Sequence, residues 1–156
     1  MLRTAVIVLV VSVVSWAVIM GLFSALATRP TNLGPHDGKL ASCPTSPNCV
    51  CSFDQDPGHA IAPLTFEDSP EAAWARLRAV LLQMPRTGIV TDEDGYLHVE
   101  CTSLLFRFVD DLEFLLDADA KQIHVRSASR AGHSDLGVNR ARVEAIRKAF
   151  TSSEGS

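Results

Sequence analysis

The chain has 156 residues, with 14 basic and 18 acidic side chains, a formal charge of −4 and a sequence pI near 5.7. That length holds one domain, or two only if both are very small, and the mild acidity excludes a protein that grips nucleic-acid phosphates over a broad basic face. The mean hydropathy of +0.15 is high for a soluble domain, and its source lies at the N-terminus.

Thr4–Thr28 contains no charged residue and is dominated by Val, Ile, Leu, Ala and Met. A helix over these 25 residues is about 37 Å long at ~1.5 Å per residue, enough for a hydrocarbon core of about 30 Å. The run exceeds the ~7–15 apolar residues of a secretory signal, although Ala25-Leu26-Ala27 resembles a cleavage site. Residues 1–28 are therefore expected to be a single-pass signal anchor whose partner is the lipid bilayer. Arg3 precedes the span and Arg29 and Lys39 follow it, so the positive-inside balance is nearly even. The four cysteines beyond the span favour an N-in, C-out orientation that places them in an oxidising compartment.

Arg29–Phe66 holds six of the eight prolines and no helical or alternating pattern. Residues 29–39 read as a tether and Cys43–Ser52 as an ordered loop against the domain. Leu40-Ala41-Ser42-Cys43 matches a lipobox but lies past Arg29, Pro30, Asp37 and Lys39, too far from the apolar run to function as one. Cys43, Cys49, Cys51 and Cys101 lack the paired Cys-x2-Cys spacing of a zinc loop. No metal or cofactor is expected. Cys43–Cys49 is the favoured disulfide, stiffened by Pro44 and Pro47, and Cys51 meets Cys101 if the loop lies on the second strand.

Ser69 and Pro70 open a helix whose stripe Ala73, Trp74, Leu77, Val80, Leu81 and Met84 ends at Pro85. From Thr87 the period switches to two, which predicts a four-stranded antiparallel meander: Thr87–Thr91, Tyr96–Ser103, Leu105–Leu116 and Gln122–Arg130. Phe106, Phe108, Leu112, Phe114 and Leu116 share one face of the third strand. A second helix, Val138–Phe150, lays Val143, Ile146, Ala149 and Phe150 on the sheet, and residues 151–156 read as a frayed tail. The fold class is α+β: an N-terminal transmembrane helix, then a two-layer domain over residues 40–150 with a meander flanked by two helices and one sheet face covered.

Charge is segregated. Asp54–Asp119 has 14 acids and four bases (4 − 14 = −10), whereas Arg126–Ser156 has six bases and three acids (6 − 3 = +3). Internal pairing between sheet and last helix is the expected account. Several polar residues stand where alternation demands apolar ones. Asp110 falls on the apolar face of the third strand unless a β-bulge at Asp110-Asp111 re-aims it, Ser127 and Ser129 fall on that face of the fourth, and Asn139 points from the last helix to the same layer. With one of Arg126, Arg130 or Arg140 they form either a latch joining strand, loop and helix or a small pocket for an anion or polar head group. A Ser/His/Asp set can also be drawn from Ser127 or Ser134, His98 or His133, and Asp110 or Asp111, but no Gly-x-Ser-x-Gly elbow or His-Glu-x-x-His motif supports it.

Cys43-Pro-Thr-Ser-Pro-Asn-Cys-Val50, Phe108-Val-Asp-Asp-Leu-Glu-Phe114, Val125-Arg-Ser-Ala-Ser-Arg130 with Gly132, Ser134-Asp-Leu-Gly137, Asn139-Arg140 and Arg142-Val-Glu144, in this order, resemble the domain-of-unknown-function family 1499 from about Leu33 to Phe150. The resemblance implies a bacterial or plastid-type protein, commonly membrane-associated or exported, and carries no established reaction. It directs attention to Asp110, Asp111, Arg126, Ser127, Ser129, Arg130, Ser134, Asp135, Asn139 and Arg140, which match its motifs. It also implies serine at the position of Cys51 and often an aromatic at that of His133, which argues against a shared role for either side chain. The expectation is a binding or assembly module for an anionic or polar envelope ligand, anchored in the inner membrane with its domain in the periplasm. The alternative is a hydrolase using Asp110 and Asp111 with a serine or histidine.

Overall fold

The structure, a computed structural model, describes residues 2–153. Helix α1 (Leu2–Ala25) has a mean hydropathy of 2.8 over its most apolar window and buries none of its residues in the protein. Its 24 residues reach about 36 Å, long and apolar enough to cross a bilayer.

Beyond it, short strands β1 (Cys49–Cys51) and β2 (Leu64–Thr65) precede α2 (Pro70–Gln83). Ser69 caps α2 by accepting from Ala72 N at 3.2 Å, Pro70 stands in its first turn, and Ala73, Trp74, Leu77, Val80 and Leu81 are buried, as their spacing predicts. Strands β3 (Thr87–Glu93), β4 (Tyr96–Thr102), β5 (Val109–Asp117) and β6 (Gln122–Ser129) form the antiparallel meander, and α3 (Val138–Ser152) closes the chain. Asp94 and Gly95, both at positive φ, make the two-residue turn between Glu93 and Tyr96. Residues 151–152, expected to be frayed, continue α3, and residues 154–156 of the expected tail lie outside the described residues.

The sheet is wider than a four-stranded meander. Its order is β1-β6-β5-β4-β3, and β2 pairs with the opposite end of β6 from β1, so both short strands extend the same edge. Both helices lie on one face. There Leu97, Val99, Leu112, Phe114, Ile123 and Val125 of the sheet meet Trp74, Leu77, Leu81, Val143, Ile146 and Phe150, all buried.

Three expectations and one alternative, the bulge at Asp110-Asp111, need correction. The third strand starts at Val109, not Leu105. Ser103 N donates to Phe108 O and Phe108 N to Ser103 Oγ, closing a loop in which Arg107 takes a φ of 56°, so extended pairing cannot reach Leu105. Phe106 and Phe108 consequently leave the sheet. The bulge lies in β3 between Ile89 and Thr91, while β5 keeps continuous register through Asp110 and Asp111. Cys51 does not meet Cys101. β1 and β4 stand on either side of β6 and β5, about 14 Å apart at ~4.8 Å per strand, and both thiols are free and buried.

The fourth correction matters most for the site, because the second sheet face is also covered. Gly34 N donates to Glu113 on that face at 2.8 Å, Arg29 pairs with Glu100 at 2.6 Å, and Leu40 is buried. The segment read as a tether therefore lies against the domain.

Candidate functional site

Unbroken alternation along β5 aims Asp110 at the helices and Asp111 at the opposite face. Asp110 accepts from Arg142 Nη2 at 2.5 Å. Arg142 Nη1 also donates to Asn139 Oδ1 at 2.8 Å and to Ser127 Oγ at 3.2 Å. Ser127 Oγ donates to Asn139 Oδ1 at 2.5 Å, and Asn139 Nδ2 donates to Ser129 Oγ and to Asn48 O, both at 3.0 Å. Asn48 Nδ2 in turn reaches Gly132 O at 2.7 Å. Ser127 and Asn139 are fully buried and every donor named here has a partner, so the inner part of this cluster is a latch between β6, α3 and the segment before β1.

The arginine on Asp110 is Arg142, not Arg126, Arg130 or Arg140. Its place was legible, since Arg142 lies three residues after Asn139 and so on the same face of α3. Asn48 carried no such signal, because it lies in the irregular loop that a disulfide closes just before β1. That disulfide joins Cys43 to Cys49 with Cα atoms 5.6 Å apart, as expected from the sequence, and leaves Cys43 no thiol for acylation.

The other expected site residues part company. Asp135 accepts from Gly137 N at 2.9 Å and Asn139 N at 2.7 Å, which makes it the cap of α3 in place of Gly137, and those bonds hold its carboxyl below the usual range although burial opposes them. Ser134 Oγ accepts from Leu136 N within the same turn. Arg140 reaches outward to Ala60 O and Gly58 O, pinning the segment before β2.

Asp111, Arg126 and Arg130 belong to a second network on the tether-covered face. Adjacent strands place His98 beside Glu113, Glu100 beside Asp111 and Glu113 beside Arg126. Asp111 takes Arg130 Nε at 2.8 Å and contacts His98 Nε2 at 2.7 Å, and Arg130 Nη2 bridges to Glu100 at 2.5 Å. Burial alone raises the Asp111 and Glu100 carboxyls, but hydrogen bonds from Arg130, joined by His98 at Asp111 and Arg29 at Glu100, more than offset it and hold both below the ordinary range. Glu113 is completely buried and accepts from Tyr96 OH (2.9 Å), Arg126 Nη1 (2.9 Å) and Gly34 N (2.8 Å). Burial and the Glu113 charge push the Tyr96 phenol far above its usual range. Internal complementarity thus accounts for part of the charge segregation: Glu100, Asp110, Asp111 and Glu113 pair with Arg126 and Arg130 at β6 and with Arg142 of the last helix. Glu100 and Glu113 were missed as members, although their alternation with His98 and Asp111 on one face pointed to them.

His98, Glu100 and Asp111 each bring one potential metal ligand within 4.8 Å of the others. The Arg130 guanidinium already spans the two carboxylates and Arg29 adds a second cation, so positive charge is supplied by the protein itself. For hydrolysis the arrangement is poor. The sheet separates Asp110 from Asp111, and among the described residues the one serine–histidine hydrogen bond is Ser52 Oγ with Nδ1 of His124, at 3.1 Å, in neither network.

The latch reaches the surface beside α1. Asp110 and Ser129 form part of the wall of a cleft of about 430 Å³ whose other walls include Met20 and Phe23 of α1 with Phe108, Leu136 and Val138. Its surface is mostly apolar, and Ser103, Ser134 and Asp135 add to this polar strip.

The family model described as "Protein of unknown function (DUF1499)" matches residues 39–150. Comparison with curated proteins and with solved structures gives no match. The matched span covers the disulfide, the meander, α2, most of α3 and both polar networks apart from Arg29 and Gly34, and the chain belongs to the DUF1499 family.

Proposed function

We propose that this is a single-pass inner-membrane protein whose domain lies on the periplasmic side and binds an amphiphilic envelope component in the cleft beside α1. The observation that carries the proposal is the composition of that cleft: Phe108, Leu136, Val138, Met20 and Phe23 suit an acyl chain, and Asp110 and Ser129 suit a polar head. The Cys43–Cys49 disulfide supports an oxidising compartment, where such bonds persist. The polar residues that a hydrolase would use are instead consumed in latches or divided between two faces, which favours binding over turnover.

Two measurements test this. A periplasm-dependent phosphatase fused after Phe150 should be active, and activity confined to a cytoplasm-dependent reporter would refute the orientation. Native mass spectrometry of the full chain from mild detergent should show a retained lipid, and Val138→Trp, which fills the cleft without touching the latch, should release it. Unchanged retention in that variant would refute the cleft as the site.

A further inference from the structure

The β4–β5 loop and the β6–α3 loop leave the same end of the sheet, because Asp110 pairs with Ser129 and Arg130 N donates to Val109 O at 3.1 Å. Large aliphatic side chains there join no core: Leu104 is 78% exposed, Leu105 76% and Leu136 95%. Their backbones are held. The Ser103–Phe108 hydrogen bonds close the first tip. In the second, Asp135 accepts from Gly137 and Asn139 while Leu136 sits at a φ of 55°, an unfavourable backbone for leucine. A residue kept in a disfavoured conformation and projected away from the protein is an outlier that asks for a role.

Chain length says what covers these loops. Helix α1 ends at Ala25, and Arg29, four residues on, is fixed to Glu100 at 2.6 Å. Four residues reach at most about 14 Å, and Glu100 lies three residues before Ser103 along β4, about 10 Å from it. If α1 spans the bilayer, this end of the domain cannot leave the membrane surface. Contacts along α1 set the depth. The Trp16 and Phe106 rings pack perpendicular with centroids 5.1 Å apart, and Met20 and Phe23 share the cleft with Phe108 and Leu136. Trp16 precedes Ala25 by nine residues, about 14 Å of helix, so Phe106 lies below the level at which α1 emerges.

We propose that loops 103–108 and 131–138 form a second membrane contact, inserting Leu104, Leu105, Phe106 and Leu136 into the leaflet from which α1 emerges, with the exposed Arg107 at the lipid phosphates. Leucine and phenylalanine beside a single arginine is the composition of an interfacial anchor, whose long cationic side chain reaches back to the head groups. The inference rests on the membrane-spanning reading of α1 and deepens it, since a cleft beside Leu136 then opens to lipid and not to water.

The test uses the full chain in vesicles of phosphatidylethanolamine and phosphatidylglycerol, spin-labelled at single new cysteines while Cys51 and Cys101 stay buried. Labels at Leu105→Cys and Leu136→Cys should collide several-fold more often with oxygen than with a water-soluble nickel chelate, as should one at Val11→Cys, and Ala118→Cys at the far end of the sheet should show the reverse. Labels at 105 and 136 behaving like the one at 118 would overturn the proposal while leaving α1 in the membrane. A water-exposed label at 11 would instead bring down the spanning reading itself. Dilution-sensitive dipolar broadening at 105 would assign the surface to a second copy and also overturn it. A Leu104→Asp/Leu105→Asp variant, which touches no core residue, should keep the melting temperature and move the label at 136 toward water.

Discussion

Replacing Arg126 by Met isolates the most deeply buried charge. Glu113 and Arg126 have side-chain exposures of 0% and 5%, and Arg126 Nη1 is the one donor given to Glu113 Oε2 among the described residues. Breaking such a pair costs about 3–5 kcal/mol because the remaining charge is stranded. For a domain of about 110 residues the unfolding entropy near the midpoint is roughly 0.23 kcal/mol/K, so the melting temperature should fall by about 13–22 °C. Fluorescence of the buried Trp74 in detergent-solubilised full chain follows the transition. The double variant Glu113→Gln/Arg126→Met should recover most of the loss, since replacing a whole buried pair is often neutral or better. Arg126 Nε, which has no hydrogen-bond partner among the described residues, gives a further reason to expect recovery. A loss below about 1 kcal/mol, the range of exposed ion pairs, would mean that water reaches Glu113 and that residues 29–39 do not cover it.

The depressed Asp111 and Glu100 carboxyls make the unfolded chain the better proton acceptor in acid. Their stabilisation is complete above the ordinary carboxyl range near pH ~4 and lost as pH falls through the lower folded values, so melting temperature should drop steeply there, and an unchanged acid slope in Arg130→Gln would refute the assignment. In alkali the sign reverses, because the raised Tyr96 phenol stays protonated in the folded state while the unfolded phenol ionises near pH ~10. The single tyrosine should therefore show phenolate absorbance only as the protein unfolds. Cys51 and Cys101, whose thiols burial pushes up, should resist a thiol reagent in the native state, react in denaturant and be joined by two more after reduction; four reactive thiols without reductant would remove the disulfide. Leu136→Gly should raise stability in detergent by about 1 kcal/mol through relief of its positive φ, and a loss would show that Leu136 packs against the domain after all.

Most of the elements were legible because each rests on local periodicity. The α2 stripe, the Ser69 cap, the Asp94-Gly95 turn and the alternation of β4 and β6 need no knowledge of distant residues. What escaped depends on long loops closing. Asn48 reaches Asn139 across 91 residues and Gly34 reaches Glu113 across 79, and neither carries a periodic mark. Strand alternation puts Asp110 on the apolar face and Asp111 with Glu113 on the other, as the structure has them, so a site that joins Asp110 to Asp111 contradicts the alternation that places them. Phe106 and Phe108 misled for the opposite reason, since alternation continued through a segment that Ser103 folds back as a loop.

The tether-covered network is best understood through what lies over it. An apolar sheet face would accept a proline-rich segment in many registers, and its burial would be worth as much as that of a charged one. Glu113 and Glu100 instead specify two points of attachment, the Gly34 amide and the Arg29 guanidinium, and Arg130 holds Glu100 to Asp111 behind them. Because Arg29 follows the end of α1 by four residues, fixing it fixes the sheet relative to the anchor. On the proposed membrane contact, the cost of burying these charges is the cost of orientation: they would hold the domain so that the Leu104–Leu105 tip and Leu136 face the bilayer instead of turning freely above it. Charge reversal at Glu100 with Lys should accordingly leave the core folded but release Arg29, and the labels at 105 and 136 should move toward water while the label at 11 stays in lipid. If the loops stayed embedded, the orientation would have to come from the loops alone, and the buried acids would be serving the fold only.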